Sequence, residues 1–139
     1  MSKLTIFTDG GARGNPGPAA SGVVITDDAE KLRLICGKYL GKTTNNVAEY
    51  EAVLLAYETI SGKFPETDNL ELSFFTDSLL MAKQLAGQYG VKNANLAGYV
   101  SKIKIKEKLF AKVTYTHIPR EQNKLADSEV NRILDEAKP

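Results

Sequence analysis

Residues 8–25 read TDGGARGNPGPAASGVVI: an acid, a dense run of Gly and Pro, then a return to small and β-branched residues. The order of those parts decides the fold. A glycine cluster that cradles a dinucleotide phosphate needs a helix directly after it. Here Pro16 and Pro18 break any helix, and SGVVIT (21–26) has strand character. The cluster is therefore predicted to turn the chain from a short first strand, Leu4–Thr8, back into a second over 21–27. KLRLICGKYLG (31–41) reads as a third strand, reached through the polar TDDAEK (26–31), so the first three strands form an antiparallel meander.

Further along, NNVAEYEAVLLAYETISG (45–62) is a long helix with Gly62 just past its end and Pro65 beyond. NLELSFFTD (69–77) is a strand, and SLLMAKQLAG (78–87) a helix closed by Gly87. SKIKIKEKLF (101–110) alternates like a strand, but Leu96, Tyr99, Val100, Ile103 and Phe110 recur at helical spacing, which favours a helix. AKVTYTHI (111–118) is a strand stopped by Pro119, and NKLADSEVNRILDEA (123–137) a closing helix with Asn123 as its cap. The sum is an α/β layer fold on a mixed sheet. Helical crossovers place strands 4 and 5 parallel to strand 1, and ligand sites in such sheets gather at the carboxyl ends of the parallel strands.

A length of 139 residues, 42% of them hydrophobic, predicts one domain over 1–139 with a real core. No run is long and apolar enough for a membrane span and no signal segment opens the chain, so a soluble, cytoplasmic protein is expected. Cys36 has no partner for an internal disulfide, which excludes a disulfide framework and a Cys-rich zinc site. The net charge of +1 carries no global signal for nucleic acid, yet Lys92, Lys102, Lys104, Lys106, Lys108 and Lys112 face only Glu107 between residues 90 and 112.

Asp9 and Asp77 both fall at the carboxyl ends of strands, where parallel pairing would bring them together. Each also has a local explanation: Asp9 opens an Asp-Gly turn, and Asp77 is placed to cap the helix that starts at Ser78. Glu49 precedes Val53 by four residues and so continues the apolar stripe of Ala52, Val53, Ala56 and Ile60 toward the sheet. A capping box, with Asn46 as cap and Glu49 three residues on, accounts for it equally well. Asp127 stands in the first turns of the last helix, where the helix dipole favours an acid. The local explanations leave convergence unexplained. Clustered carboxylates repel unless a cation sits among them, and hard divalent ions with oxygen ligands meet that need. Two such ions about 4 Å apart can activate water and stabilise a leaving oxygen, which points to metal-dependent phosphodiester hydrolysis.

The segments FTDGGARGNPGPAASGVVI, TTNNVAEYEAV, FFTDS and PREQNKLAD resemble, in order and spacing, the four acid-bearing motifs of type 1 ribonuclease H, over nearly the whole chain. The resemblance implies a ribonuclease H-like five-stranded mixed sheet with helices on both faces. It also implies an endoribonuclease that cuts the RNA strand of RNA/DNA hybrids with two Mg²⁺ or Mn²⁺ ions, leaving 5′-phosphate and 3′-hydroxyl ends. It makes Asp9, Glu49, Asp77 and Asp127 the catalytic and metal-binding carboxylates. Asn15, Asn45 and Asn46 would touch the RNA strand near its 2′-hydroxyls, the group that marks RNA. Lys42, Thr44 and Asn93 would hold a DNA-strand phosphate, and Ser78 of FFTDS joins the substrate-binding set.

The chain departs from the family in several places. Many members carry a basic helix and loop where only AGQYG (86–90) precedes VKN (91–93); the Lys-rich stretch from Lys102 is a candidate substitute. His117, the only His, falls on the last strand instead of in a flexible loop before the final acid, where a structural role competes with proton transfer; Arg120 or Glu121 at the loop is the alternative for that step. Trp is absent, leaving Tyr50, Tyr57, Tyr89, Tyr99 and Tyr115 as stacking candidates. The partner expected is an RNA/DNA hybrid bound by a monomer. Alternatives are a binding module on the same fold, or a nuclease that also cuts duplex RNA or RNA–DNA junctions.

Overall fold

The computed structural model describes residues 2–29 and 31–137. Its elements in chain order are β1 (Ser2–Ala12), β2 (Gly17–Asp27), β3 (Arg33–Thr43), α1 (Asn45–Lys63), β4 (Leu70–Thr76), α2 (Leu79–Leu85), α3 (Ala94–Glu107), β5 (Lys112–His117) and α4 (Lys124–Glu136). The strands form one sheet in the order β3-β2-β1-β4-β5. β1, β2 and β3 pair antiparallel, while β4 pairs parallel to β1 and β5 parallel to β4. The predicted mixed sheet is the one observed.

Alternation along β2 divides the two faces. Val23 and Ile25 join the main core with Ile6, Leu72 and the α1 residues Tyr50, Val53, Tyr57 and Ile60. Ala20 turns to the other side and packs with Val130 and Leu134 of α4. Helices thus cover both faces, because β2 in the middle of the meander buries residues on both sides. The core centres on Tyr57, whose ring meets Phe74 at 5.1 Å and Phe110 at 5.5 Å between centroids. Burying side chains of this size stabilises by about 1.5–3 kcal/mol each. The Tyr57 hydroxyl satisfies itself against that of Tyr115 at 2.7 Å.

The glycine cluster is mostly strand. β1 runs on to Ala12 and β2 begins at Gly17, with Asp9 opposite Gly22, Gly10 opposite Ser21 and Gly11 opposite Ala20. Only residues 13–16 turn the chain, with Gly14 at φ +92° supplying the left-handed backbone the turn needs. The expected Asp-Gly turn at Asp9 is therefore corrected: Asp9 stands inside β1. Gly62 is likewise inside α1, which ends at Lys63 and is closed by the Phe64 N–H on the Ile60 carbonyl at 2.9 Å.

Candidate active site

The parallel pairing of β1 with β4 ends at Thr8 opposite Thr76, so Asp9, where β1 runs on past β4, and Asp77, just beyond the end of β4, come side by side. Thr44, not Asn46, caps α1: its hydroxyl oxygen accepts from the Val47 N–H at 3.2 Å and its carbonyl from the Ala48 N–H at 3.1 Å. That corrects the capping-box explanation of Glu49, whose Oε1 instead accepts from the Gly10 N–H of β1 at 3.3 Å. The approach depends on Gly10 having no side chain, since a Cβ there would lie 2.2 Å from the Ala48 carbonyl carbon. Ser78, not Asp77, caps α2, its hydroxyl accepting from the Met81 N–H at 3.2 Å. Both carboxylates are released from local duty.

Asp9, Glu49 and Asp77 each offer an oxygen such that all three lie within 4.8 Å of one another. Asp9 and Glu49 are buried. Burial, and then the charge of Asp77 and the neighbouring carboxyl of Asp127, push Asp9 up to about 7. Burial, followed by the charges of Asp9 and Asp77, holds Glu49 well above the usual carboxylate range. Asp77 is raised by burial and by Asp127, against the pull of Arg120, whose Nε stands 3.8 Å from it. Glu49 Oε2 is buried with no hydrogen-bond partner among the described residues. An all-oxygen donor set, mutual repulsion and an orphaned buried oxygen fit a hard divalent cation.

The open cleft around these acids is also lined by Arg13, Asn45, Asn46, Ser78, Arg120, Asp127 and Asn131, among others. Asp127 is thus at the site, beside Asp9, although its oxygens fall outside the 4.8 Å group. Asn123 occupies the cap position of α4 but does not cap with its side chain; its amide instead donates to the Thr8 carbonyl at 2.8 Å. This ties the start of α4 to the residue before Asp9. Sequence reasoning missed that tie, and it missed Asn131, although a spacing of four residues from Asp127 puts both on one helix face.

The expected substrate contacts divide. Asn15 Oδ1 accepts from the Asn45 N–H at 3.0 Å and Asn45 Oδ1 from the Ala12 N–H at 2.8 Å, so these side chains lock the glycine turn to the start of α1 beside the cleft. Lys42 and Thr44 flank the β3–α1 junction, and Asn93 caps α3, its Oδ1 accepting from the Leu96 N–H at 3.1 Å. These do not line the acid cleft. His117 is exposed at the end of β5, opposite Thr76, and faces a different groove with Leu79, Lys83 and Tyr115. Tyr50 and Tyr57 are fully buried and pack within the core, which removes them as base platforms, while Tyr89 is exposed.

Comparison with known proteins places the chain in context. Residues 7–133 match the family described as Reverse transcriptase-like. A ribonuclease HI of Halobacterium salinarum is 36% identical over 97% of this chain and 66% of its own. A bifunctional protein of Mycobacterium tuberculosis is 33% identical over 97% of this chain, and the chain spans only 36% of that relative's length. The crystal structure of LC11-RNase H1 in complex with an RNA/DNA hybrid superposes with a TM-score of 0.90 at 42% identity, covering 96% of this chain and 98% of the other.

Proposed function

This chain belongs to the type 1 ribonuclease H family, and from that premise we propose that it is an endoribonuclease hydrolysing the RNA strand of RNA/DNA hybrids. The observation that carries the reading is the approach of Asp9, Glu49 and Asp77 to within 4.8 Å where β4 ends beside β1. A phosphate-binding surface would do better without three acids at its centre.

Asp9, Glu49, Asp77 and Asp127 are the residues to hold two magnesium or manganese ions. When bound, the ions supply an activated water and charge stabilisation of the leaving oxygen, giving 5′-phosphate and 3′-hydroxyl ends. The chain's own part is positional and electrostatic. The Gly10 N–H orients Glu49, and Asn123 sets the start of α4. The amide groups of Asn15, Asn45 and Asn46 are suited to meet ribose hydroxyls. Ser78 lines the cleft and would meet substrate there, while Lys42, Thr44 and Asn93, outside it, are the residues proposed to hold a DNA-strand phosphate. The guanidinium of Arg120 stands beside Asp77, so its role there is electrostatic, while His117 faces a different groove and takes no part in proton transfer.

Residues 1–139 act as one catalytic domain, as a monomer and in the cytoplasm; the alternative reading adds duplex RNA and RNA–DNA junctions as substrates. Among the described residues no helix is long and apolar enough to cross a membrane. The test uses end-labelled RNA/DNA hybrid, duplex RNA and duplex DNA with Mg²⁺ or Mn²⁺. Internal cuts confined to RNA and lost in Asp9→Asn are expected; equal cutting of duplex DNA, or activity surviving both EDTA and the substitution, would sink the reading.

A further inference from the structure

Two arginines line the acid cleft. Arg120 stands against Asp77, but Arg13 has no part in the chemistry proposed above. It projects from the turn after β1, and its backbone N–H fixes that turn by donating to the Pro18 carbonyl at 2.8 Å. Its guanidinium lies across α4: Nη2 pairs with Asp135 at 2.7 Å and donates to Asn131 Oδ1 at 3.5 Å. Asn131 in turn donates to Asp127 Oδ2 at 3.4 Å. Asp127, Asn131 and Asp135 are spaced four apart and form one row on the helix. Arg13 therefore connects the acid cluster to the rim of the cleft.

The Asp135 side chain is 64% exposed and that of Arg13 36%. Water-washed pairs of this kind are worth about 0–1 kcal/mol, so the partner is easily exchanged. A guanidinium fork matches a phosphate better than any other side chain does, and this one opens into the cleft where a phosphodiester would be cut.

We propose that Arg13 is a substrate-binding residue: when a hybrid enters the cleft, its guanidinium leaves Asp135 for an RNA-strand phosphate close to the scissile one, and Asp135 is the internal competitor for it. This rests on the hybrid-nuclease reading and extends it. A simple tether between turn and helix makes the opposite prediction for one variant. Removing either end of a tether has the same effect, whereas removing a ligand and removing its competitor have effects of opposite sign.

The experiment measures binding of a fluorescent RNA/DNA hybrid by anisotropy across a salt series, in the full chain carrying Asp9→Asn so that nothing is cut. Adding Arg13→Gln should weaken binding and flatten the log–log salt slope by about 0.9, the share of one phosphate contact. Adding Asp135→Asn should tighten binding, by up to about fivefold. Glu136→Gln makes the same charge change, but its partner is Arg132 at 2.9 Å, so it should do less. Neutral methylphosphonate linkages, walked through each strand in turn, should reveal one RNA position whose effect disappears in Arg13→Gln. An unchanged slope, weakening by both Arg13→Gln and Asp135→Asn, or a sensitive position in the DNA strand alone would overturn the assignment. Absence of any preference for hybrid over duplex DNA in the Asp9→Asn parent would overturn the functional reading itself, and it is read before any Arg13 variant is made.

Discussion

The side-chain amide of Asn123 donates to the main-chain carbonyl of Thr8 across 115 residues of sequence, at 2.8 Å and out of contact with water. One residue past Thr8 stands Asp9, and the Asn123 carbonyl accepts from the N–H of Asp127 at 3.1 Å. A single residue thus holds the strand of one acid to the helix of another. Asn123→Ala leaves a buried carbonyl unpaired and should cost about 1–3 kcal/mol, read as a lower urea midpoint. Asn123→Asp presents an acceptor to an acceptor and should give no rescue, with kcat falling in both variants.

Gly10→Ala should be far more damaging than its size suggests. The added carbon would sit 2.2 Å from the carbonyl carbon of Ala48 and 2.3 Å from its oxygen, both backbone atoms that no rotamer change can move. α1 must retreat, taking Glu49 from the Gly10 N–H. Expected are a loss of about 2–4 kcal/mol in stability, as for other core changes that force backbone to shift, and at least a hundredfold loss in turnover.

Without metal, stability should fall as pH rises through neutrality. Asp9 titrates at about 7 in the fold against an ordinary 3.8, so folding favours its protonated form. That contribution is complete below about 3.8 and is lost as pH climbs through about 7. In EDTA the Tm should therefore be lower at pH 8 than at pH 6, and Mg²⁺ should restore it at pH 8. Asp9→Asn should flatten the profile; a metal-free Tm that rises from pH 6 to 8 would contradict the assignment.

His117→Ala should keep turnover within about twofold, since its exposed side chain lies outside the cleft and acts on Asp77 less than Arg120 does. Arg120→Gln, which leaves Asp77 without its cation, should reduce turnover more than His117→Ala does at pH 7. A His117→Ala variant that loses most activity would return proton transfer to the histidine.

The sequence was most legible where the signal is periodic. Glu49 could be placed on the buried face of α1 because it continues the stripe of Val53, and α3 could be preferred over a strand because Leu96, Tyr99 and Ile103 share a helical face. It was least legible in the glycine cluster, where Gly10 and Gly11 have no side chains to alternate and only the ladder to β2 reveals a strand. Thr44, Asn45 and Asn46 are all competent caps, and no local rule separates them. The tertiary fit of Glu49 to Gly10 does. Asn123 was placed correctly at the start of α4, but its use is a contact with Thr8 that no window of sequence contains. Arg13 was invisible for the same reason: Asp135 and Asn131 lie at the far end of the chain.

The four acids come from β1, α1, the end of β4 and α4, Asp77 standing one residue past its strand, so no single segment carries the site. α4 is also the helix that covers the bare backbone of β2 and β3, where a Cβ on Gly22 would lie 2.5 Å from the Ala126 carbonyl oxygen and one on Gly37 2.3 Å from the Ile133 side chain. A nascent chain that has not yet docked α4 would hold Asp9, Glu49 and Asp77 but lack both Asp127 and the clamp on Thr8. On the proposed function, cleavage should therefore appear only once the last helix has closed on the sheet, and nuclease activity would then report complete folding.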